Sequence, residues 1–591
     1  MDPKSLQRRF AAAQIGPMAV LLGVYFLLRL PHLRDQSVFC DEATYLRWAQ
    51  MIAQDPRQYL FVSMQDAKLP LHYWLLALAR PLSHDPVFAG RLLSVLFGAL
   101  TIPAIFGLGA QLSALTRSPR LLAPFTAALM IVCPFVAMNQ RLALAEPLVL
   151  LEAVVLAWQS LRLARHVQSS AAPRVLAADA ILLGLIWGLA LLTKQNFSYL
   201  LWTLPPTALL MTVSRATWWR GLRAFVPRYA VATLIGLGCF VPVLMTTHRW
   251  DLRTKLFYKQ DFFSSSAHLG RWPLFTGNVL DTFWPYVNDR LHWWPYDPAM
   301  PLDRGILYLY LTPPILLLAL AGALWMAARR QWTLLAFCGI WCLALLGTML
   351  LTAHLIYSRY LLVGSFPLLI LAAWCACTLL TAARARRPWP VAAACLVAIA
   401  FAWPALATTC AALDSQAPVL TADDRRQFIA TFAAGGAAEQ ALVWLQSQAG
   451  QRPITVVTGT ELGVRNDFTW LTLTGQPRVQ LYCDDSTPPL RSTSSKADAF
   501  YAKTQQWGFD KERPVVPPAD RPIYYLAECS ENPKTATLDF MPLRFFGPGA
   551  TLIQTFYNPP ATAGRRVQSG IAIYRIPRPA PILEAAASPN P

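Results

Sequence analysis

The stretch that decides the fold is IGPMAVLLGVYFLLRLPHL at residues 15–33, followed at residues 39–50 by FCDEATYLRWAQ. The first segment contains one charge, Arg29, and has the length of a transmembrane helix, which needs about 20 mostly apolar residues. Basic residues at 4–9 precede it, so the positive-inside rule predicts a cytoplasmic N-terminus. The second segment is therefore predicted to lie on the outer side of a membrane.

That second segment begins with adjacent carboxylates, Asp41 and Glu42. One interpretation is structural, because acidic side chains stabilise the first turn of a helix. The other is catalytic, because a carboxylate can take a proton from an attacking hydroxyl or amine. Both interpretations stay open when only these residues are considered.

The composition predicts a polytopic membrane protein. The chain has 591 residues, of which 55% are hydrophobic and 14% charged, which is too apolar for a soluble multidomain protein. Its net charge of +19 comes from short basic clusters between apolar runs, where they act as topology signals, so no nucleic-acid partner is expected. The first apolar run lacks a small-residue cleavage site and is interpreted as a retained helix.

About eleven apolar runs are long enough to span a membrane, and this number places the C-terminus outside. They cover roughly 15–33, 91–113, 121–138, 147–163, 176–193, 197–213, 229–246, 304–326, 332–353, 360–380 and 390–409. A shorter apolar stretch at 69–79 is interpreted as an interfacial or re-entrant helix. If this stretch crossed the membrane, the arginine-rich loops would lie outside, against the positive-inside rule.

The composition changes near residue 404. The following chain is polar, with a predicted helix at about 422–448 and strand-like runs ITVVTG, RVQLYC, PIYYLAEC and GIAIYRI. These features predict an α/β domain at 411–576 on the outer side of the membrane and a disordered tail at 577–591. Cys483 and Cys529 are its two cysteines, and an oxidising compartment suggests a disulfide between them.

Charged residues of the predicted outer loops suggest a site for a phosphate-activated substrate. Carboxylates can act as bases, while lysine and arginine neutralise a leaving phosphate. The candidates are Asp41, Glu42, Tyr45, Asp66, Lys68, His72, Arg141, Glu146, Lys194, Tyr357 and Arg359, with Arg249 and Arg253 from the long loop 247–303.

Several of these candidates also have a structural alternative. Lys68 and Lys194 could anchor helix ends at the interface, and Glu146 could start a helix beside Pro147. Arg141 and Arg359 could pair with acids for structural reasons. The histidines of the long loop are too dispersed to predict a metal site.

Five motifs in order resemble one family. They are DEA-x-Y from Asp41, KLPLHYW from Lys68, RLALAEP from Arg141, LLTK ending at Lys194, and SRYLLVGSFPLL from Ser358. With RLLSVLFGALTIPAIFGLG from residue 91, their order resembles the protein O-mannosyltransferase and lipid A aminoarabinose transferase family of type C glycosyltransferases. The family often has KPPL at the second motif and Asp-Pro at the third, where this chain has KLPL and Glu146-Pro147.

The resemblance implies a polytopic α-helical membrane protein with the type C glycosyltransferase fold over 1–410, outer-face loops at 34–90 and 247–303, and a C-terminal α/β domain. It implies transfer of a sugar from a polyprenyl-phosphate donor to an acceptor on the periplasmic face of the bacterial inner membrane. Asp41 would be the general base and Glu42 would orient the acceptor or the base. Lys68, Lys194, Arg249, Arg253 and Arg359 would bind the lipid phosphate. Tyr45, Asp66, His72, Arg141, Glu146 and Tyr357 would contact donor or acceptor.

Several alternatives remain open at this stage. A lipid or polyanion transporter or flippase would also use interfacial charges, although transporters commonly show internal repeats and charged, broken helices. An inactive relative that only scaffolds envelope synthesis is disfavoured by the intact acid pair and Lys68. The sugar is undetermined, and the acceptor could be lipid A, a glycan or a protein. No cofactor is certain, and a divalent metal is left open.

Overall fold

The structure is a computed structural model of the whole chain. It describes residues 3–66, 68–116, 121–194, 198–213, 216–245, 310–352, 358–383, 397, 401–403, 422–425, 428–429, 433–458, 463–483, 521–531, 538–540, 551–559 and 569–576. The chain forms two compact units. The first comprises Met1–Leu33, Ser63–Leu75 and Phe88–Thr421, and the second comprises Arg34–Val62, Leu76–Val87 and Ala422–Pro591.

Helices dominate the part of the chain before residue 384. They are α1 (Pro3–Arg29), α2 (Cys40–Gln54), α3 (Pro56–Tyr59), α4 (Leu71–Ala79), α5 (Pro86–Thr116), α6 (Leu122–Val132), α7 (Pro134–Asn139), α8 (Glu146–Gln168), α9 (Pro173–Thr193), α10 (Ser198–Thr212), α11 (Trp218–Met245), α12 (Pro313–Ala328), α13 (Trp332–Thr352) and α14 (Leu362–Ala383). Short 3₁₀ turns lie at Val62–Asp66, Arg80–Leu82 and Ser358–Leu361.

Five helical segments among the described residues are long and apolar enough to cross a membrane. They are Pro86–Leu115, Glu146–Gln168, Pro173–Thr193, Trp218–Met245 and Ser358–Thr381. Other predicted spans are helical but shorter in their apolar part, as in α6 and α12. The total of about eleven spans stays a prediction, since the run at 390–409 lies almost wholly outside the described residues.

Two of the apolar segments predicted from the sequence can be compared directly with the helices of the structure. The run at 121–138 was expected to be one helix, but the structure divides it into α6 and α7 at Cys133. Pro134 explains the break, because proline cannot donate the backbone hydrogen bond that a continuous helix needs. The short stretch at 69–79 is confirmed as the nine-residue helix α4, which is too short to span a membrane.

Small residues allow α9 and α11 to pack closely. A Cβ atom on Gly184 would lie 2.6 Å from the carbonyl oxygen of Ala232, and one on Gly188 would lie 2.5 Å from Cβ of Cys239. The two glycines are four residues apart and share one face of α9. This spacing of small residues is typical of helix pairs within membranes.

The second unit contains a six-stranded mixed sheet. Its strands are β1 (Ile454–Thr458), β2 (Val479–Cys483), β3 (Ile523–Glu531), β4 (Leu538–Phe540), β5 (Thr551–Tyr557) and β6 (Ser569–Ile576), in the order β2-β1-β3-β6-β5 with β4 paired to β3. β1 is parallel to β2 and β3, whereas β6 is antiparallel to β3 and β5. The four strand-like runs read from the sequence are confirmed.

Helical segments accompany this sheet. They are α15 (Ala422–Arg425), α16 (Gly436–Gln451), a π-helical turn at Val464–Phe468 and α17 (Thr469–Leu473). The predicted helix at about 422–448 therefore corresponds to α15 and the longer α16. The domain limits 1–410 and 411–576 stay a prediction, and the tail at 577–591 lies outside the described residues. The structure adds that residues 34–62, which contain α2, belong to the same compact unit as the sheet.

The predicted disulfide between Cys483 and Cys529 is wrong. Cys483 ends β2 opposite Thr458, and β1 lies between β2 and β3, which carries Cys529. Two strand spacings are about 9.5 Å, whereas the Cα atoms of bridged cysteines are about 4.4–6.8 Å apart. Cys529 is a free, buried thiol.

Candidate functional site

The two adjacent acids occupy the first turn of α2 and have different surroundings. Phe39 precedes the helix in an extended conformation, and its N–H donates to Oε2 of Glu42 at 3.1 Å. Glu42 is fully buried, while Asp41 is only partly buried. Glu42 therefore closes the start of the helix from inside, as in one half of a capping box, and Asp41 is the more accessible carboxylate.

Residues from far along the chain hold this helix start. The N–H of Cys40 donates to the carbonyl oxygen of Ala433 at 2.8 Å, and the rings of Phe39 and Phe428 lie 4.6 Å apart. Every residue of α2 from Glu42 to Ile52 is buried. Several of these buried side chains are charged or polar, so the sequence of α2 lacks the apolar pattern that is typical of a core helix.

Tyr45 lies one turn after Asp41. It is buried and its ring stacks on Trp48 with centroids 5.9 Å apart. Its ring contributes to the packing of α2, and its predicted contact with a substrate stays a prediction.

In the first unit, Glu146, Lys194 and Arg359 form a buried cluster of charges. Nζ of Lys194 lies 2.8 Å from Oε1 of Glu146, and Nε of Arg359 lies 3.7 Å from the same oxygen. The side chains of Glu146, Lys194 and Arg359 are 8%, 25% and 6% exposed. Three sequence-predicted residues from three separate segments of the chain are thus brought together.

Each member of this cluster lies at the end of a helix or in a turn next to one. Glu146 begins α8 beside Pro147, a residue suited to the first turn of a helix. Lys194 follows the last residue of α9, and its N–H donates to the carbonyl oxygen of Ala190. Arg359 lies in the 3₁₀ turn that precedes α14. Helix and turn ends therefore direct the three charged side chains toward one point.

Tyr360 extends the cluster. Nζ of Lys194 lies 4.2 Å from the centroid of its ring, and Cζ of Arg359 lies 5.5 Å from it. The ring provides a cation–π surface for both cations. Because two cations share one carboxylate, the cluster keeps a surplus positive charge, and it is chemically suited to an anion such as a phosphate.

His72 lies near this cluster but adds no charge at neutral pH. It is fully buried on α4, and its Nε2 lies 3.5 Å from the carbonyl oxygen of Ala143. Burial lowers the pKa of His72 to about 4. Two nearby charges have smaller effects: Glu146 raises this pKa and Lys194 lowers it. The ring is therefore neutral at pH 7.

Arg141 has a structural position at the end of α1. Its guanidinium donates to the carbonyl oxygens of Arg29 at 3.3 Å and His32 at 2.9 Å. Cations near a helix C-terminus satisfy its last carbonyl groups and interact favourably with the helix dipole. This favours the structural alternative for Arg141.

Of the remaining five candidates, the structure describes Lys68 and the backbone of Asp66. Lys68 is half-buried and its N–H donates to the carbonyl oxygen of Ser63 at 3.2 Å. Asp66 ends a 3₁₀ turn, and its side chain is not described. Arg249, Arg253 and Tyr357 lie outside the described residues.

No group of three or more His, Cys, Asp or Glu side chains could hold a metal ion within the described part of the chain. At the position where the related motif has Asp-Pro, Oε1 of Glu146 already faces two cations. A divalent metal on this oxygen would be repelled by Lys194 and Arg359.

Sequence signals could not reveal Asp467, a buried acid that accepts a hydrogen bond from Thr44 on α2 at 2.7 Å. It belongs to no motif and lies 423 positions from Thr44. Only folding of the second unit brings it to the helix that carries Asp41.

The fold is similar to that of solved membrane-protein structures. No protein-family model matches the chain, and no curated protein matches it in sequence. Solved structures do match, and together with the long apolar helices they indicate a multi-pass membrane protein.

Two of these structures are of ArnT from Cupriavidus metallidurans. The apo state matches with a TM-score of 0.52 at 15% identity over 95% of this chain and 98% of that chain. The state bound to undecaprenyl phosphate matches with a TM-score of 0.50 at 15% identity over 98% and 99%. A third is the oligosaccharyltransferase AglB from Archaeoglobus fulgidus with an inhibitory peptide and a dolichol-phosphate, at a TM-score of 0.48 and 11% identity over 89% and 74%.

Proposed function

We propose that this protein is an integral membrane glycosyltransferase that moves a sugar from a polyprenyl-phosphate donor to an acceptor on the periplasmic face of the bacterial inner membrane. The observation that carries the proposal is the buried Glu146–Lys194–Arg359 cluster, whose surplus positive charge suits a lipid phosphate. The fold shared with ArnT supports it, because one of the matching ArnT structures contains undecaprenyl phosphate.

In this mechanism, Asp41 takes the proton from the acceptor hydroxyl or amine. The acceptor atom forms a bond to the anomeric carbon as the bond from that carbon to the phosphate oxygen breaks, with inversion. The pair of electrons of the broken bond remains on the polyprenyl phosphate. Lys194 and Arg359 stabilise its charge, with Lys68, Arg249 and Arg253 as further proposed contacts.

The surroundings of the two acids support different roles. Asp41 is the accessible carboxylate of the helix start, whereas Glu42 is buried and occupied by the N–H of Phe39. Glu42 therefore orients the turn that presents Asp41. His72, which is neutral at pH 7, and Tyr45 are proposed to shape the binding region, together with Asp66 and Tyr357.

The test of this proposal is Asp41→Asn in the purified, detergent-solubilised protein. Asparagine starts a helix as well as aspartate does but cannot take a proton. Turnover of polyprenyl-phosphate sugar should fall by about 10²–10⁴, the contribution of a positioned general base. Binding of the lipid donor and the melting temperature should remain close to those of the wild type.

Asp55→Asn is the matched control. Asp55 follows the other end of α2, and its side chain accepts hydrogen bonds from the N–H groups of Arg57 and Gln58. Asparagine can accept the same bonds, so activity should be unchanged. Glu42→Gln should reduce turnover less than Asp41→Asn, because an amide oxygen can still accept from Phe39. Full activity of Asp41→Asn would remove this residue from the mechanism.

The acceptor is to be identified by mass spectrometry of lipid A, surface polysaccharide and periplasmic proteins from cells lacking the gene. The class of molecule that lacks a sugar in these cells would be identified as the acceptor. Unchanged glycosylation combined with altered transbilayer distribution of a lipid would instead support the transporter or flippase alternative.

A further inference from the structure

A buried carboxylate of the second unit, that of Asp467, accepts a hydrogen bond from the N-terminal part of α2. Oδ2 of Asp467 accepts a hydrogen bond from Oγ1 of Thr44 at 2.7 Å and another from the N–H of Gly463 at 2.8 Å. Thr44 is 3% exposed and Asp467 is 9% exposed. A hydrogen bond between buried groups is electrostatically stronger than the same bond in water.

The backbone that carries Asp467 has an unusual conformation. Residues Val464–Phe468 form a π-helical turn, a rare element that is frequent at functional sites. Gly463 precedes it with a φ of 148° and a ψ of −178°, a region that is essentially restricted to glycine. The surrounding structure must therefore stabilise this turn, and the hydrogen bond from Gly463 to Asp467 is part of that stabilisation.

The helix that follows the turn, α17, makes a second contact with α2. Cζ of Arg47 lies 5.2 Å from the centroid of the Trp470 ring, and Nη1 of Arg47 donates to Oε1 of Gln50 at 2.6 Å. Trp470 in turn donates from Nε1 to Oγ1 of Thr458 at the end of β1. The chain of contacts thus runs from the sheet through α17 to α2.

Thr44 lies three residues after Asp41, so the two side chains share one face of the helix in successive turns. We infer that Asp467 is a positioning residue, which acts through Thr44 to fix the turn of α2 that presents Asp41. This inference rests on the proposed function, in which Asp41 must be aligned with the acceptor whose proton it takes. A misplacement of about 1 Å can reduce a rate by about 10²-fold, so a tether of this kind has a kinetic consequence.

The test compares Thr44→Val with Thr44→Ser. Valine nearly keeps the shape of threonine but cannot donate to Asp467, whereas serine keeps the hydroxyl. Thr44→Val should lower kcat by about 10-fold or more while KM for the lipid donor changes by less than about twofold. Thr44→Ser should retain most of the wild-type kcat. Asp467→Asn, which retains an oxygen acceptor, should be milder than Thr44→Val.

Thr126→Val is the matched control. Thr126 is 3% exposed, as Thr44 is, and its Oγ1 donates to the carbonyl oxygen of Leu122 within α6 of the first unit. Its substitution should leave kcat unchanged. Equal kcat in Thr44→Val and Thr126→Val, with an active wild type, would overturn the inference.

Hydrogen exchange gives a measurement that does not require activity. In Thr44→Val the amides of residues 40–46 should exchange at least about tenfold faster, while those of β6 keep their wild-type rates. Unchanged exchange at residues 40–46 would also overturn the inference. A wild-type protein that transfers no sugar from any polyprenyl-phosphate donor would instead contradict the proposed function, whatever the exchange of α2.

Discussion

At the scale of single residues, the surroundings of each charge decide its role better than its type does. Asp41 and Glu42 are neighbours in sequence, yet one is accessible and the other is buried against the N–H of Phe39. Arg141 and Arg359 both lie in predicted outer loops. Arg141 donates to carbonyl groups at the end of α1, whereas Arg359 faces Glu146.

The Lys194–Glu146 pair should contribute measurably to stability. Lys194→Met would leave the buried carboxylate paired with Arg359 alone, whereas Glu146→Gln would leave both cations without their shared carboxylate. Breaking a buried ion pair by removing one partner costs about 3–5 kcal/mol. The melting temperature in detergent should therefore fall in both variants, and it should fall further in Glu146→Gln. An equal or smaller fall in Glu146→Gln would contradict a carboxylate shared by two cations.

His72 should make the protein less stable at acidic pH. Its pKa is lowered to about 4 by burial, whereas an unfolded histidine has a pKa near 6.5. Between these values the unfolded chain binds a proton that the folded chain does not, so folding stability falls as the pH decreases from about 6.5 to 4. The full effect is about 3 kcal/mol.

His72→Gln should remove this part of the pH dependence. Melting temperatures measured at pH 7.5, 6 and 5 should fall more steeply in the wild type than in the variant. His84→Gln, at an exposed position after the Arg80–Leu82 turn, is the control and should retain the wild-type slope. Identical slopes in all three proteins would contradict a buried neutral His72.

At the scale of elements, the order of strands determines which side chains can meet. β1 lies between the strands that carry Cys483 and Cys529, and no local sequence pattern reveals this order. The break between α6 and α7, by contrast, has a local signal in Pro134. Strand pairing depends on contacts between distant segments, so it is harder to predict than the strands themselves.

Both cysteines should be alkylated when the protein is unfolded without reductant and mapped as peptides. In the native protein Cys529 should react slowly, because it is buried and burial raises the pKa of its thiol to about 12. A Cys483–Cys529 disulfide peptide in the non-reduced map would contradict the strand order of the sheet.

At the scale of the whole molecule, the second unit restricts the topology. α2 and the π-helical turn hydrogen-bond within one compact unit, so the loop after α1 and the chain after residue 422 must lie on the same side of the membrane. An even number of spans between them is therefore required. About eleven spans in total, with one before α2, satisfies this condition.

We expect the C-terminus to be periplasmic. Alkaline phosphatase fused after Pro591 should be active, and green fluorescent protein at the same point should be dark. A fusion after Ser170, in the predicted inner loop between α8 and α9, should show the opposite pattern. Fluorescence from the C-terminal fusion would exclude the predicted orientation.

The sequence by itself determined the helical, membrane-spanning class, the short helix α4, the four strands of the polar region and most of the charged candidates. These follow from apolar run length, residue alternation and charge near helix ends, all of which are local properties. The resemblance of five ordered motifs to type C glycosyltransferases agrees with the fold found in ArnT.

Only the tertiary structure decided which candidates share a site. It joined Glu146, Lys194 and Arg359, turned Arg141 toward the end of α1, and placed Asp467 beside Thr44 across 423 positions of chain. The physical reason is that hydrogen bonds and ion pairs act over a few ångströms in space. Separation along the chain gives no measure of that distance until the helices and strands have packed.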